Sequence, residues 1–235
     1  MSTGSVKPPS PRSGPRARPR VGVIHATPLS IRPLAGAFAA EFPEAIVRNV
    51  LDDSLLEELR AAGELTPVLI ERMERVLDHL LVDEIDAVQF ACSGYVPVVD
   101  AAAARLPIPV RKPDEAMYRD LAASGHTHIG IVATVQPALD LAAGQLRALV
   151  DADRTTVVTR CVPEAMDAAQ RGDDAELARS LGAAVDRLVA DGAEVVALAQ
   201  YSMSPVMDEI AQKSGVPVYS GPVAAAKDLR QALRA

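Results

Sequence analysis

The chain contains no tryptophan and few aromatic residues of any kind, three Phe and four Tyr, so it has little with which to stack nucleobases. Positive charge is also in short supply. The 24 Lys and Arg residues face 31 Asp and Glu, and a net charge of -7 argues against neutralising a phosphate backbone. Nucleic acid is therefore not an expected partner. No apolar run approaches the roughly 20 residues of a membrane helix, so no membrane association is expected. The only cysteines, Cys92 and Cys161, stand far apart and outside any CxxC pattern, which makes reduced thiols in a cytoplasm the expected setting. Neither GxGxxG nor a P-loop signature occurs, nor a GxSxG elbow, so dinucleotide binding, P-loop chemistry and Ser-His-Asp hydrolysis lose their usual sequence support.

What is present is a globular composition, 49% hydrophobic and 23% charged, over 235 residues, long enough for two small domains that need no metal or disulfide staples. Residues 1–20 differ from the rest, holding five basic residues, five prolines and no acid. This stretch lacks the apolar core of a signal peptide and is expected to be a disordered basic tail. The body beyond it is acidic.

The strongest signal is a self-match at a constant offset of 108 residues. Val21-Gly22-Val23-Ile24 matches Ile129-Gly130-Ile131-Val132, two β-branched runs suited to buried parallel strands. Thr66 and Asp174 are candidate caps of two long helices, the first with Val68, Leu69, Met73, Val76, Leu77 and Leu80 at helical spacing. DAVQFACSGYVPVV matches EVVALAQYSMSPVM, each a strand, a polar turn and a helix entered near Pro97 or Pro205. Pro107 to Val110 matches Gly215 to Val218 as a last short strand.

Strands alternating with helices imply right-handed βαβ units, so the expected fold is α/β, with two pseudo-symmetric, flavodoxin-like parallel-sheet domains. The first should comprise residues 21–112 plus 219–235 and the second residues 113–218. Ligands of such sheets bind at the carboxyl ends of the strands, and symmetry predicts one cleft facing the turns of both halves. The turns concerned are His25-Ala26-Thr27 and Ala91-Cys92-Ser93-Gly94 in the first half, with Ala133-Thr134-Val135 and Ala199-Gln200-Tyr201-Ser202 in the second.

With GVIHATP at the first strand end, FACSGY, IGIVAT and ALAQYSMSP in this order, the sequence resembles the aspartate/glutamate (hydantoin) racemase superfamily, which includes maleate isomerase and arylmalonate decarboxylase. The resemblance spans residues 21 to about 233. It implies cofactor-independent chemistry at the carbon alpha to a carboxylate or carbonyl, on a small carboxylate substrate, and is compatible with a homodimer. FACSGY stands where the family has its first cysteine turn and ALAQYSMSP where it has its second.

Cys92 lies between a strand and a helix start, where the helix dipole and exposed backbone N–H groups favour thiolate, so it is the expected acid/base. Oxygens of an enolate intermediate need donors, and the N–H groups of Ser93 and Gly94 with the hydroxyls of Thr27, Ser93, Thr134 and Ser202 are the expected supply. Val135 is expected in the same turn. At the family's second cysteine this chain has Gln200, whose amide does not relay a proton and is expected to contact substrate instead. Three readings follow: Cys92 alone protonates a planar intermediate, as in the decarboxylase branch; His25 or Tyr201 is the opposite acid/base; or Cys92 attacks carbon covalently. The same turns would also suit a non-catalytic module that closes on a small carboxylate. Cys161, after Val157-Val158, is expected to be structural and away from the cleft. His126 and His128 form an HxH pair without a third ligand at metal spacing, so no metal is implied.

Overall fold

The structure is a computed structural model that describes residues 18–234. Residues 1–17 of the basic segment lie outside the described residues, while Arg20 already belongs to the first strand. By internal contacts the chain divides into two units, one of residues up to Pro113 together with those from Ala226 onward, the other Asp114–Ala225. The first boundary falls at Pro113, next to the expected residue. The return to unit 1 comes inside the last helix instead of before it.

Unit 1 is built from β1 (Arg20–His25), α1 (Ile31–Glu41), β2 (Ile46–Leu51), α2 (Leu55–Ala62), α3 (Pro67–Leu81), β3 (Ala87–Phe90), α4 (Val96–Arg105) and β4 (Val110–Arg111). Its four strands are parallel in the order β2-β1-β3-β4. β1 buries nearly every residue because it is covered on both faces, which is why it reads as a continuous apolar run. α3 opens where Thr66 accepts a hydrogen bond from the Leu69 N–H, with Pro67 in the first turn. Leu69, Met73, Leu77 and Leu80 then fall on one face and pack with Ile24, Val88 and Phe90. Val68, expected on that stripe, is 72% exposed, since it precedes Leu69 and so points about 100° around the helix from it.

Unit 2 contains α5 (Glu115–Ala123), β5 (His128–Ala133), α6 (Gln136–Arg147), β6 (Thr156–Cys161), α7 (Glu164–Arg171), α8 (Asp174–Ala190), β7 (Val195–Leu198), α9 (Met207–Ser214), β8 (Val218–Ser220) and α10 (Gly221–Ala232), whose second half counts with unit 1. The sheet order β6-β5-β7-β8 repeats that of unit 1 strand for strand. One core lies under α7, α8 and α9 and a second under α5 and α6. The cap of α8 is Asp173, which accepts from the Glu176 N–H at 3.0 Å, one residue before the expected Asp174. In the second repeat Pro205 lies within a 3-10 turn, Tyr201–Val206, so α9 starts later than the proline alone suggested. Among the described residues no helix is long and apolar enough to cross a membrane.

Gly22 and Gly130 occupy the same position of β1 and β5, and both face a leucine of the long helix. A Cβ on Gly22 would stand 2.5 Å from Leu80 Cδ2, whereas one on Gly130 would stand 3.0 Å from Leu188 Cδ1. Overpacking of a close-packed interior costs about 1–3 kcal/mol. Urea unfolding should therefore show Gly22→Ala to be clearly destabilising and Gly130→Ala less so. Equal loss at the two sites would contradict this packing.

Candidate functional site

Parallel pairing aligns the carboxyl ends of β1 and β3, since Ile24 and Phe90 are in register and the Ala91 N–H donates to the Ile24 carbonyl at 2.9 Å. The residues that follow, His25 to Thr27 and Ala91 to Gly94, thus share one edge of unit 1. Cys92 is half-buried, extended, and caps a 3-10 turn, Ser93–Tyr95, which runs into α4. The α-helix proper begins at Val96, four residues after the cysteine, so the turn stands between the thiol and the helix it was expected to precede. Neither cysteine is in a disulfide. Thr27 caps a second 3-10 turn, Pro28–Ser30, by accepting from the Leu29 N–H.

Gly94 lies under the end of the Leu59 side chain. A Cβ there would meet Leu59 Cδ2 at 2.4 Å and lie 3.8 Å from Cys92 Sγ, so α2 covers the turn through Leu59. The Tyr95 hydroxyl donates to the Leu55 carbonyl at 2.9 Å, a second tie between this turn and α2. Burial pushes the Tyr95 phenol up to about 12, and the nearby Cys92, Asp52 and Glu58 add to the shift.

His25 is fully buried and both its ring nitrogens have partners. Nδ1 lies 2.7 Å from Ser30 Oγ and Nε2 lies 2.9 Å from Asn49 Oδ1. Ser30 Oγ also donates to the Thr27 carbonyl at 3.0 Å, so the ring of a neutral His25 sits in a chain that runs from Asn49 to Thr27. Burial holds the imidazole below its ordinary value against the opposing Asn49 contact, which keeps that neutral form. This arrangement ties β1, β2 and the first turn together.

Unit 2 presents the equivalent edge. Thr134 is fully buried, and both its N–H and its hydroxyl donate to Gln200 Oε1, at 2.5 and 2.8 Å. The donors of Thr134 expected for a substrate oxygen are therefore engaged by Gln200, which stands 108 residues after Cys92. Val135 caps α6, Gln200 precedes the 3-10 turn, Tyr201 is buried and Ser202 is half-buried. Cys161 ends β6 in register with Ala133, at the carboxyl edge of the sheet, because the strand runs parallel to β5 to its last residue. Its side chain packs with the core under α5 and α6. His126 and His128 adjoin Glu194, whose Oε2 accepts the Thr127 N–H at 2.7 Å and the His128 N–H at 3.3 Å. Among the described residues no group of three His, Cys, Asp or Glu is placed to hold a metal ion.

Sequence reasoning missed Asp114. It reads as an ordinary helix cap before Glu115, yet its side chain makes no capping hydrogen bond. The residue is half-buried, but Oδ1 is sealed from solvent without a hydrogen-bond partner. A Cβ on Gly221 would stand 2.1 Å from that oxygen and 2.5 Å from Tyr201 Cε1, so carboxyl and ring share one crowded niche that only glycine allows. Burial pushes Asp114 up to about 7, and its charge in turn helps to raise Tyr118 and Tyr201.

A family model described as Asp/Glu/Hydantoin racemase matches residues 25–229. Among curated proteins none matches this chain. Solved structures with a similar fold include an allantoin racemase from Pseudomonas fluorescens, 19% identical, covering 92% of this chain and 91% of that one with a TM-score of 0.62. A glutamate racemase isoform from Bacillus anthracis is 17% identical, with coverages of 93% and 83% and a TM-score of 0.67. A Gly-to-Cys mutant of arylmalonate decarboxylase, in a sulfate-associated form, is 17% identical, with coverages of 92% and 94% and a TM-score of 0.65.

Because folding raises the Asp114 carboxyl, the native state binds more protons than the unfolded chain between about pH 4 and pH 7. Its contribution to stability is present in acid and is lost as pH rises through about 7. Melting curves should show the wild type losing more stability than Asp114→Asn between pH 5 and pH 8. Parallel curves would contradict the sealed position of this carboxyl.

Proposed function

Because this chain belongs to the Asp/Glu/hydantoin racemase family, we propose that it is a cofactor-independent enzyme that moves a proton at the carbon alpha to a carboxylate, with Cys92 as the acid/base. The observation that carries this reading is the seat of Cys92 at the carboxyl end of β3, half-buried and at the head of a turn whose N–H groups begin with Ser93 and Gly94. As thiolate, Cys92 takes the proton from the α-carbon, and the electron pair of the broken C–H bond passes into an enediolate on the substrate carboxylate. The Ser93 and Gly94 N–H groups and the Thr27 and Ser93 hydroxyls then donate to the oxygens on which charge develops. Return of the proton from the thiol to the same face completes α-hydrogen exchange; inversion additionally requires a proton delivered to the opposite face, and with His25 engaged on both nitrogens the remaining proposed donor is Tyr201.

His25 is proposed as a positioning residue of the first turn, since a ring with both nitrogens engaged and its basicity lowered is poorly suited to exchange a proton with substrate. Ser202 and Val135 are the proposed substrate contacts of unit 2, with Gln200 and Thr134 bonded to each other. Racemisation or isomerisation is the first reading. Decarboxylation of a malonate-type acid is the second, and a specific observation favours it. Gln200, at the repeat position of Cys92, offers no proton, and loss of CO2 followed by protonation from one face needs only one thiol.

Amino acids, hydroxy acids and malonates incubated in D2O should reveal α-deuterium incorporation, inversion or CO2 release. Cys92→Ala should lower the rate by about 10²-fold or more, the usual worth of a positioned acid/base. Wild-type turnover in that variant would remove the thiol from the mechanism. Binding of one acid, seen as a melting shift without any of the three reactions, would make the chain a carboxylate-binding module.

A further inference from the structure

Arg72 of α3 is the centre of a four-residue cluster beside the cysteine turn. Its Nε and Nη2 reach the two carboxylate oxygens of Asp52 at 2.6 and 2.7 Å, in a bidentate fork. Nη2 also donates to Ser54 Oγ at 2.6 Å, and Nη1 to Glu58 Oε1 at 2.7 Å. Ser54 donates in turn to Asp52, whose own N–H is bonded to the His25 carbonyl. One guanidinium thus fastens the end of β2, the head of α2 and the first turn of α2 to α3.

What α2 does explains why this matters. Leu59 of α2 lies on Gly94 beside Cys92, and the Leu55 carbonyl accepts the Tyr95 hydroxyl. The charges of Cys92, Asp52, Glu58 and Arg72 all act on the phenol of Tyr95, the last residue of the cysteine turn, whose hydroxyl is bonded to α2. The charged groups that act on Tyr95 of this turn come from three other places: Asp52 at the end of β2, Glu58 of α2 and Arg72 of α3. Two carboxylates near a thiol disfavour its thiolate, and a cation held between them offsets that effect.

We propose that Arg72 is a positioning residue for Cys92: by closing the Asp52–Ser54–Glu58 cluster it fixes α2 over the cysteine turn and cancels the two carboxylates that oppose thiolate formation. The inference rests on Cys92 being the reactive thiol of the proposed function. Its test reads the thiol and not turnover, so failure of the enzymatic reading and failure of this one are told apart.

The test is the rate of iodoacetamide alkylation of the full chain as a function of pH, followed by mass spectrometry of the Cys92 and Cys161 peptides. In Arg72→Met the midpoint for Cys92 should rise by roughly one pH unit, about a tenfold lower rate at neutral pH. Its high-pH plateau should rise as α2 loosens, and the Cys161 curve should not move. Arg72→Lys should restore the midpoint, because the charge remains, but not the wild-type plateau, because an ammonium does not reproduce the fork. If Arg72→Met does not fold, Glu58→Gln serves alone: with one carboxylate gone and Arg72 in place, the Cys92 midpoint should fall. A folded Arg72→Met with wild-type midpoint and plateau, or a Glu58→Gln midpoint that stays put or rises, overturns the proposal.

Discussion

Parallel strand pairing is the constraint from which the rest follows. A strand that pairs in parallel with its neighbour must return along the outside of the sheet, so every strand of a unit ends on the same edge. The register of β1 with β2 and β3, repeated by β5 with β6 and β7, brings residues distant in sequence to one edge: Ile24 with Phe90 ahead of the two turns of unit 1, Thr134 with Gln200, and Ala133 with Cys161. Helices on both faces bury all but the first residue of β1 and of β5, and the price is paid in shape, since Gly22 and Gly130 leave room for Leu80 and Leu188.

On that common frame the two units have diverged in how they use polar groups. Unit 1 places a thiol at the end of β3 and surrounds its turn with ties to α2, through Tyr95, Leu59 and the Arg72 cluster. Unit 2 places an amide at the end of β7 and joins it to Thr134, which satisfies a buried N–H and a buried hydroxyl at once. At the first edge Cys92 heads the turn; at the second, Gln200 is bonded back to Thr134. The sealed carboxyl of unit 2 is Asp114, set behind Tyr201 and raised by burial.

Buried polar side chains mark both edges for the same physical reason. A donor or acceptor removed from water must find a partner inside, so His25 draws in Ser30 and Asn49 and thereby locks β1 to β2. A neutral, doubly bonded imidazole is a rigid joint and a poor proton carrier. Cys92 stands on the same edge, at the head of the turn that opens with Ser93 and Gly94.

The sequence by itself determined the duplication, the alternation of strands and helices, and the turns that follow β1, β3, β5 and β7, because these depend on local periodicity and on caps such as Thr66 that act within a few residues. It also located Cys92 and, 108 residues on, Gln200 at the repeat position. Only the tertiary structure decided what those side chains touch. That Thr134 is held by Gln200, that His25 is closed on both sides, that Cys161 reaches the carboxyl edge and that Asp114 is sealed beside Gly221 each depend on contacts made across tens of residues. Periodicity reports which face of an element is apolar; it carries no information on which polar atom from another strand or helix will meet a given donor there. That pairing is set by register and packing, which exist only once the sheet has formed.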